Sequence, residues 1–416
     1  MLIFVNAMQF AAMYAVSPVF KDDLALTKSE TSLIFAVSGL ATFAAAVPIG
    51  LAADRIGARP VCLAGAGLVT VSLVLQALAP DLALLLVARA GIGAGFAGVL
   101  AAGPTWISDS VAPERRARAV ALIMPIAALG GLLGPILAGT LSDGFGRATP
   151  QLLFGALVGV CVLALLASPK GGGERHGHDP FLTTLRLGRR SPIVLTAVAV
   201  MFLAAVTEGV TGVLGPQQLD RNGVSASVTG IVLGVGSAAF ILVSLVITRH
   251  ADRVLRLNFA AAAVLILGAI CVLLAAAPET IPTSAGLILR TAALGLAFTI
   301  CFPLAGVGAD SVGMGRGAAY AALQAAGGSG SAIGPYASGV IGESVGDWLA
   351  YSLVGGLGIV AAVWILSMQR SAKSRAGGGA MLSPMAQAQQ RRDADTDAAA
   401  AAPAPASAPA GETASP

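Results

Sequence analysis

Charge is what this sequence has least of. Asp, Glu, Lys and Arg make up 11% of its 416 residues, against about 25% in a soluble domain. That scarcity, with 56% hydrophobic residues and a mean hydropathy of +0.83, excludes a water-covered globule and indicates an integral membrane protein. Histidine is nearly missing: His176, His178 and His250 all fall between apolar runs. No buried imidazole is therefore available for acid-base chemistry, and an enzyme is not expected. Cys62, Cys161, Cys271 and Cys301 each sit inside an apolar run, which leaves no disulfide framework, metal site or cofactor to expect. A phosphate-cradling G-x-x-x-x-G-K-[ST] loop is lacking too, which argues against a self-contained ATP-driven pump. The net charge of +4 is too small to imply a nucleic-acid partner.

What the chain has in abundance is apolar length. A spanning helix needs about 20 mostly apolar residues, and twelve such runs are present. They cover approximately 2–20, 29–53, 60–79, 82–107, 117–141, 147–168, 192–215, 226–248, 257–277, 281–309, 317–341 and 346–368. The first run has no basic leader or small-residue cleavage site ahead of it and reads as a retained helix. Cytoplasmic loops hold the excess of Lys and Arg. The loops after even-numbered runs, with the tail, carry 19 of them, and those after odd-numbered runs carry 4. A multi-pass protein of the cell (inner) membrane with both termini in the cytoplasm is expected.

An internal repeat divides the runs into two sets. Gly130, Gly134, Pro135 and Gly139 in the fifth run recur as Gly330, Gly334, Pro335 and Gly339 in the eleventh, each offset by 200. Arg89 and Asp109 correspond to Arg290 and Asp310 at offset 201, and Asp54-Arg55 to Asp252-Arg253 at offset 198. The expected organisation is a six-helix half over 1–168, a cytoplasmic linker over 169–191, a second half over 192–368, and a disordered Ala/Pro-rich tail over 369–416. His176 and His178 in the linker have no third ligand and read as solvated.

Between runs two and three lies GLAADRIGARPV, Gly50 to Val61. Glycines permit a tight turn, while Asp54, Arg55 and Arg59 cannot sit in hydrocarbon and belong at the membrane surface. The stretch resembles the signature loop of the major facilitator superfamily, G-x-x-x-D-R-x-G-x-R, at Gly50, Asp54, Arg55, Gly57 and Arg59, with Ala58 where a first basic residue is usual. Arg89 opens RAGIGAGFAG, similar to that family's fourth-helix motif, and the Gly-Pro stretch of run five resembles the motif of its antiporters. The resemblance covers about residues 1 to 368. It implies an all-α membrane fold of twelve helices in two pseudo-symmetric halves that rock about a midplane site. From these pieces a conformational gate is expected: with the site closed to the cytoplasm, Asp54 caps run eleven near Met314 to Gly317, where a helix amino terminus favours an anion, and Arg55 or Arg59 pairs with Asp109. An Asp54→Asn variant with unchanged transport and unchanged conformational populations would count against that gate.

Ionisable residues inside the membrane are functional candidates by default. Arg89 lies about 10 Å into its run and either takes part in coupling or substrate contact, or snorkels or bonds a backbone carbonyl. Glu208, about 24 Å into run seven, is the only acid well inside a span. Burial raises a carboxyl pKa and a nearby Arg lowers it, so it is the candidate proton carrier unless it reaches water at the rim. Asn6 and Gln9 share a helix face and are either substrate contacts or interhelical glue. No acid stands in the first run, where many drug-exporting relatives have one. The implied function is proton-coupled efflux of a small apolar or amphipathic compound by a monomer. The alternatives are uptake or facilitated exchange of a metabolite, and a sensor that binds without flux. Small molecule, proton and lipid bilayer are the expected partners.

Overall fold

The computed structural model describes residues 1–109, 123–167, 191–250, 257–312 and 316–375. The linker, the tail, Asp252-Arg253 and Met314 lie outside the described residues, as do the side chains of Asp54, Arg55, Asp109 and Asp310 and the surroundings of Gly317. Twelve α-helices and no strand occur among the described residues. They are α1 Leu2–Asp23, α2 Lys28–Ile56, α3 Ala58–Leu78, α4 Leu82–Asp109, α5 Ile123–Phe145, α6 Ala148–Ala167, α7 Pro192–Arg221, α8 Ala226–Arg249, α9 Leu257–Ala276, α10 Thr280–Asp310, α11 Arg316–Ser344 and α12 Asp347–Arg375.

Over the described residues, eleven of the twelve are long and apolar enough to cross a membrane, and α11 is the exception. Its sequence is rich in Gly, Ala and Ser, residues that trade hydropathy for close helix approach. Several helices outrun their apolar stretch. Thus α7 continues past residue 215 through Gln217 and Gln218, both buried, to Arg221.

Helix starts follow capping chemistry. Thr27 and Glu30 form a reciprocal capping box at α2. Ser191 caps α7 ahead of Pro192, and Ser225 caps α8. The short charged hairpin expected between runs two and three, at about residues 54–59, is tighter still in the structure. Residues 50–56 complete α2, Arg59 belongs to α3, and Gly57 alone joins them at φ +96°, a conformation that favours glycine. Charged residues extend a helix without penalty once it has left hydrocarbon.

Two hydrophobic cores correspond to the two halves. One gathers Val5, Ile34, Val69, Leu85, Ile92 and Phe154 of α1–α6; the other gathers Val200, Leu267, Leu294, Leu323 and Tyr351 of α7–α12. The repeat persists at the level of single contacts. A Cβ on Gly130 or Gly134 of α5 would overlap the Phe4 or Met8 carbonyl of α1. At Gly330 or Gly334 of α11 it would lie 2.6 Å from the Phe202 or Val206 carbonyl of α7. The glycines thus seat α5 on α1 and α11 on α7, with the acceptor residues offset by 198.

The halves meet along α5 with α8 and along α2 with α11. Gly139 backs onto the Ala226 carbonyl, and Gly339 onto Ser32 and the Lys28 carbonyl. At the end of the bundle where α1 turns into α2, Asp143 of α5 accepts from the Ser227 amide of α8 at 2.8 Å, and from its hydroxyl. Glu343 of α11 accepts from the Ser29 amide of α2 at 3.0 Å, and from its hydroxyl. Lys28 of α2 reaches across to Asp347 of α12 at 3.0 Å and to the Gly342 carbonyl at 3.2 Å. Asp347 also pairs with Arg221 of α7. Farther along the bundle, Ser237 of α8 donates to the Gly131 carbonyl of α5 at 3.0 Å. At the opposite, Gly57 end, Arg59 donates to the Leu165 carbonyl at 2.8 Å and Ser191 to the Gly308 carbonyl at 3.0 Å, each within its own half.

Candidate functional site

Between the halves lies a cavity of about 230 Å³. From the N-terminal half it is lined by Phe10, Ala11 and Tyr14 of α1 and by Ala128, Gly131 and Pro135 of α5. From the C-terminal half come Glu208 of α7, Leu233, Ser237 and Phe240 of α8, and Arg290, Thr291, Leu294 and Phe298 of α10. Phe10 and Tyr14 stand one helical turn apart on α1 and so present a single aromatic stripe. Phe10 stacks on Phe96 at 5.2 Å, Tyr14 stacks on Phe35 at 4.9 Å, and Phe240 and Phe298 form the facing aromatic pair at 6.4 Å. The wall is apolar and aromatic with few polar groups, the usual character of a small-molecule site.

Two of those polar groups carry formal charge. Glu208 sits on a stretch of α7 held tightly from both sides: Pro335 of α11 presses on Gly209, and Tyr14 lies over Gly212. Arg290 reaches α7 from α10. Its Nη1 donates to Thr211 Oγ1 at 2.9 Å and to the Glu208 carbonyl at 3.4 Å, and its Nη2 donates to Thr291 Oγ1 at 2.8 Å. No ion pair joins Arg290 to Glu208 among the described residues.

The other candidate residues stand apart from the cavity. Arg89 is 1% exposed, so it does not snorkel; its Nε donates to the Ile34 carbonyl at 3.3 Å and its guanidinium lies over Phe35 at 5.5 Å. Phe35 stacks on Tyr14, so Arg89 sits behind the aromatic wall. Asn6 and Gln9 are buried in the N-terminal half and are absent from the lining. The Asn6 amide turns back to the Leu2 carbonyl at 3.4 Å, and the lining of α1 begins at Phe10. Arg59 holds the Leu165 carbonyl and lies 5.9 Å from the Trp106 ring.

Sequence reasoning marked Arg290 only as the repeat counterpart of Arg89 and left it off the site. A charge inside an apolar run was signal enough to include it. Tyr14 and the phenylalanines gave no such signal, because which face of an apolar helix meets the cavity is decided by packing.

A family model described as Major Facilitator Superfamily matches residues 1–315. The chain belongs to the major facilitator superfamily. Among curated relatives it is similar to the inner membrane transport protein YnfM of Escherichia coli (strain K12), 27% identical over 139 residues, 33% of each chain. It is also similar to the putative niacin/nicotinamide transporter NiaP of Bacillus subtilis (strain 168), 30% identical over 128 residues, 31% of this chain and 32% of that one. The matched stretch thus spans about a third of each relative. Among solved structures it resembles a bacterial homolog of the human lysosomal transporter Spinster in an inward-facing and occupied conformation. The TM-score is 0.73 at 15% identity, over 89% of this chain and 95% of that one. The nucleoside transporter NupG gives 0.68 at 16% identity, over 88% and 97%. At such identities the likeness is one of fold.

Proposed function

We propose that this superfamily member exports a small apolar or amphipathic compound in exchange for protons, with Glu208 carrying the proton. The observation that carries this reading is Glu208 itself, the one acid on the largely apolar and aromatic wall between the two halves. A carboxyl placed there meets the compound and, as the halves rock, each side of the membrane in turn. With both termini cytoplasmic, the end tied by Asp143, Glu343 and Asp347 faces outward, which leaves the cytoplasmic end as the route by which an exporter loads. The Gly50–Arg59 stretch and Asp109 form the gate at the other end, and Arg89 stiffens the wall behind Tyr14.

The test uses purified protein in proteoliposomes with a pH-sensitive dye inside, for the native chain and Glu208→Gln. A transported compound is expected to move protons through the native protein, and the variant is expected to lose at least about 100-fold of that coupled flux. Native flux with no proton movement would make the protein a facilitator. Uptake of a metabolite is the competing reading; the name of NiaP supports a metabolite as cargo and says nothing of direction. Compound accumulation in cells lacking the gene separates the two, rising for an exporter and falling for an importer.

A further inference from the structure

The exchange of protons at Glu208 leaves one charge on the cavity wall without a task. Arg290 has five N–H donors, of which Nη1 uses two on Thr211 Oγ1 and the Glu208 carbonyl, and Nη2 uses one on Thr291 Oγ1. Its Nε has no partner. None of the acceptors is charged, and the side chain is only 6% exposed. Glu208 is the other formal charge on the wall; Tyr14 faces both from α1, while α11 brings Pro335 and α8 brings Ser237 and its aromatic and aliphatic neighbours. The net charge of the cavity is therefore zero when Glu208 is ionised and one positive when it is protonated.

Resting on the proton-exchange reading, we propose that Arg290 is a specificity-determining residue that restricts the cavity to uncharged aromatic amphipaths bearing a hydrogen-bond donor. A compound exchanged for a proton enters after Glu208 has released that proton. An uncharged molecule then preserves the balance of the wall, its hydroxyl or amide N–H donating to the Glu208 carboxylate and its ring lying against Phe10, Phe240 and Phe298. A cation would stand beside an undischarged guanidinium and an anion beside an ionised carboxylate, each in a setting with little water to screen it. The exchange has a definite charge balance. The loaded carrier crosses with Glu208⁻ and Arg290⁺ cancelling; the return crossing has Glu208 protonated and Arg290 still charged. One positive charge thus moves opposite to each compound, and the membrane potential drives the cycle together with the proton gradient.

Three probes on one frame separate charge from shape: 4-biphenylmethanol, 4-biphenyl-trimethylammonium and biphenyl-4-carboxylate. Binding is measured by calorimetry on the full chain in nanodiscs against empty nanodiscs. Native protein is expected to bind the alcohol about 100-fold or more tightly than either ion, since a juxtaposed like charge costs at least that factor. Arg290→Gln is expected to admit the ammonium at the alcohol's affinity, and Arg290→Lys to exclude it still. In proteoliposomes, an inside-negative potential set with potassium and valinomycin is expected to speed alcohol-for-proton exchange. Native binding of the ammonium equal to the alcohol, binding of none of the three, or coupled exchange indifferent to potential would each overturn the proposal. Failure of the proton-carrier reading looks different: the alcohol would cross without protons and at the same rate in Glu208→Gln.

Discussion

Gly134→Val is expected to prevent assembly of the N-terminal half. A side chain at this position would run into the Met8 carbonyl, Cα and carbonyl carbon of α1. These are backbone atoms, so no rotamer change makes room and the whole of α5 would have to move away from α1. Five residues farther along, Gly139 seats the same helix on Ala226 of α8 in the other half, and between them Pro135 presses on Gly230. Displacing α5 therefore loosens the interface between halves and the wall that Ala128, Gly131 and Pro135 contribute to the cavity. Overpacking a core by a few methylenes costs about 1–3 kcal/mol where side chains can adjust, and more where they cannot. Set against a total stability of about 5–15 kcal/mol, the variant should lose its monodisperse species in detergent. Gly334→Val should do the same through Val206 of α7. Gly67 of α3, where an added Cβ meets nothing within 4 Å, is the control: Gly67→Ala should unfold at an unchanged or higher temperature, since alanine is the better helix former by about 1 kcal/mol. Equal thermal profiles for Gly134→Val and Gly67→Ala would show that the small residues of α5 are not there for close approach.

The arrangement of the helices was legible because three signals agreed. Apolar length marked the spans, the offset of 200 marked the two halves, and the loop pattern at Gly50 to Arg59 pointed to the superfamily that the family match then showed. The same glycines that revealed the repeat mark where α5 and α11 meet α1 and α7. The cavity was only partly legible. Glu208 was conspicuous because an acid in hydrocarbon needs a reason, and Arg290 carried the same signal unused. Asn6 and Gln9 were conspicuous too and yet do not line the cavity, since polarity in an apolar helix does not say which neighbour it meets. Helix ends were misjudged for a related reason: at the membrane surface the helix continues while hydropathy falls, as at residues 54–56 and 216–221.

The two-fold repeat extends to the sealed end, and there it predicts a conformational effect. Asp143 and Glu343 are offset by 200, and each lies across the first turn of a helix in the opposite half, at Ser227 and Ser29, which are offset by 198. A carboxylate beside exposed helix amides is favoured by the free N–H groups and by the helix dipole. In both places the acid is supplied by the partner half, so the bond lasts only while the halves remain together at this end. The Ser29 hydroxyl and amide hold the Glu343 carboxyl below its ordinary range. A carboxyl depressed in the closed form stabilises that form above its ordinary value of about 4.3, and the contribution fades as pH falls through the depressed one. Acidification on that side should thus loosen the seal. The double variant Asp143→Asn, Glu343→Gln removes both charges at neutral pH and is expected to shift the closed-to-open ratio at this end toward the open form by roughly severalfold, the modest size that solvent-screened surface contacts allow. Spin labels on α2 and α8 near their first turns, paired with labels on α11 and α5 near their last, would report the change as a longer distance population. Lys28→Gln should add to it, because Lys28 is the cation that α2 extends to Asp347. A distance distribution identical to that of the native chain in all three substitutions together would mean that packing of Gly139 and Gly339 alone keeps this end shut.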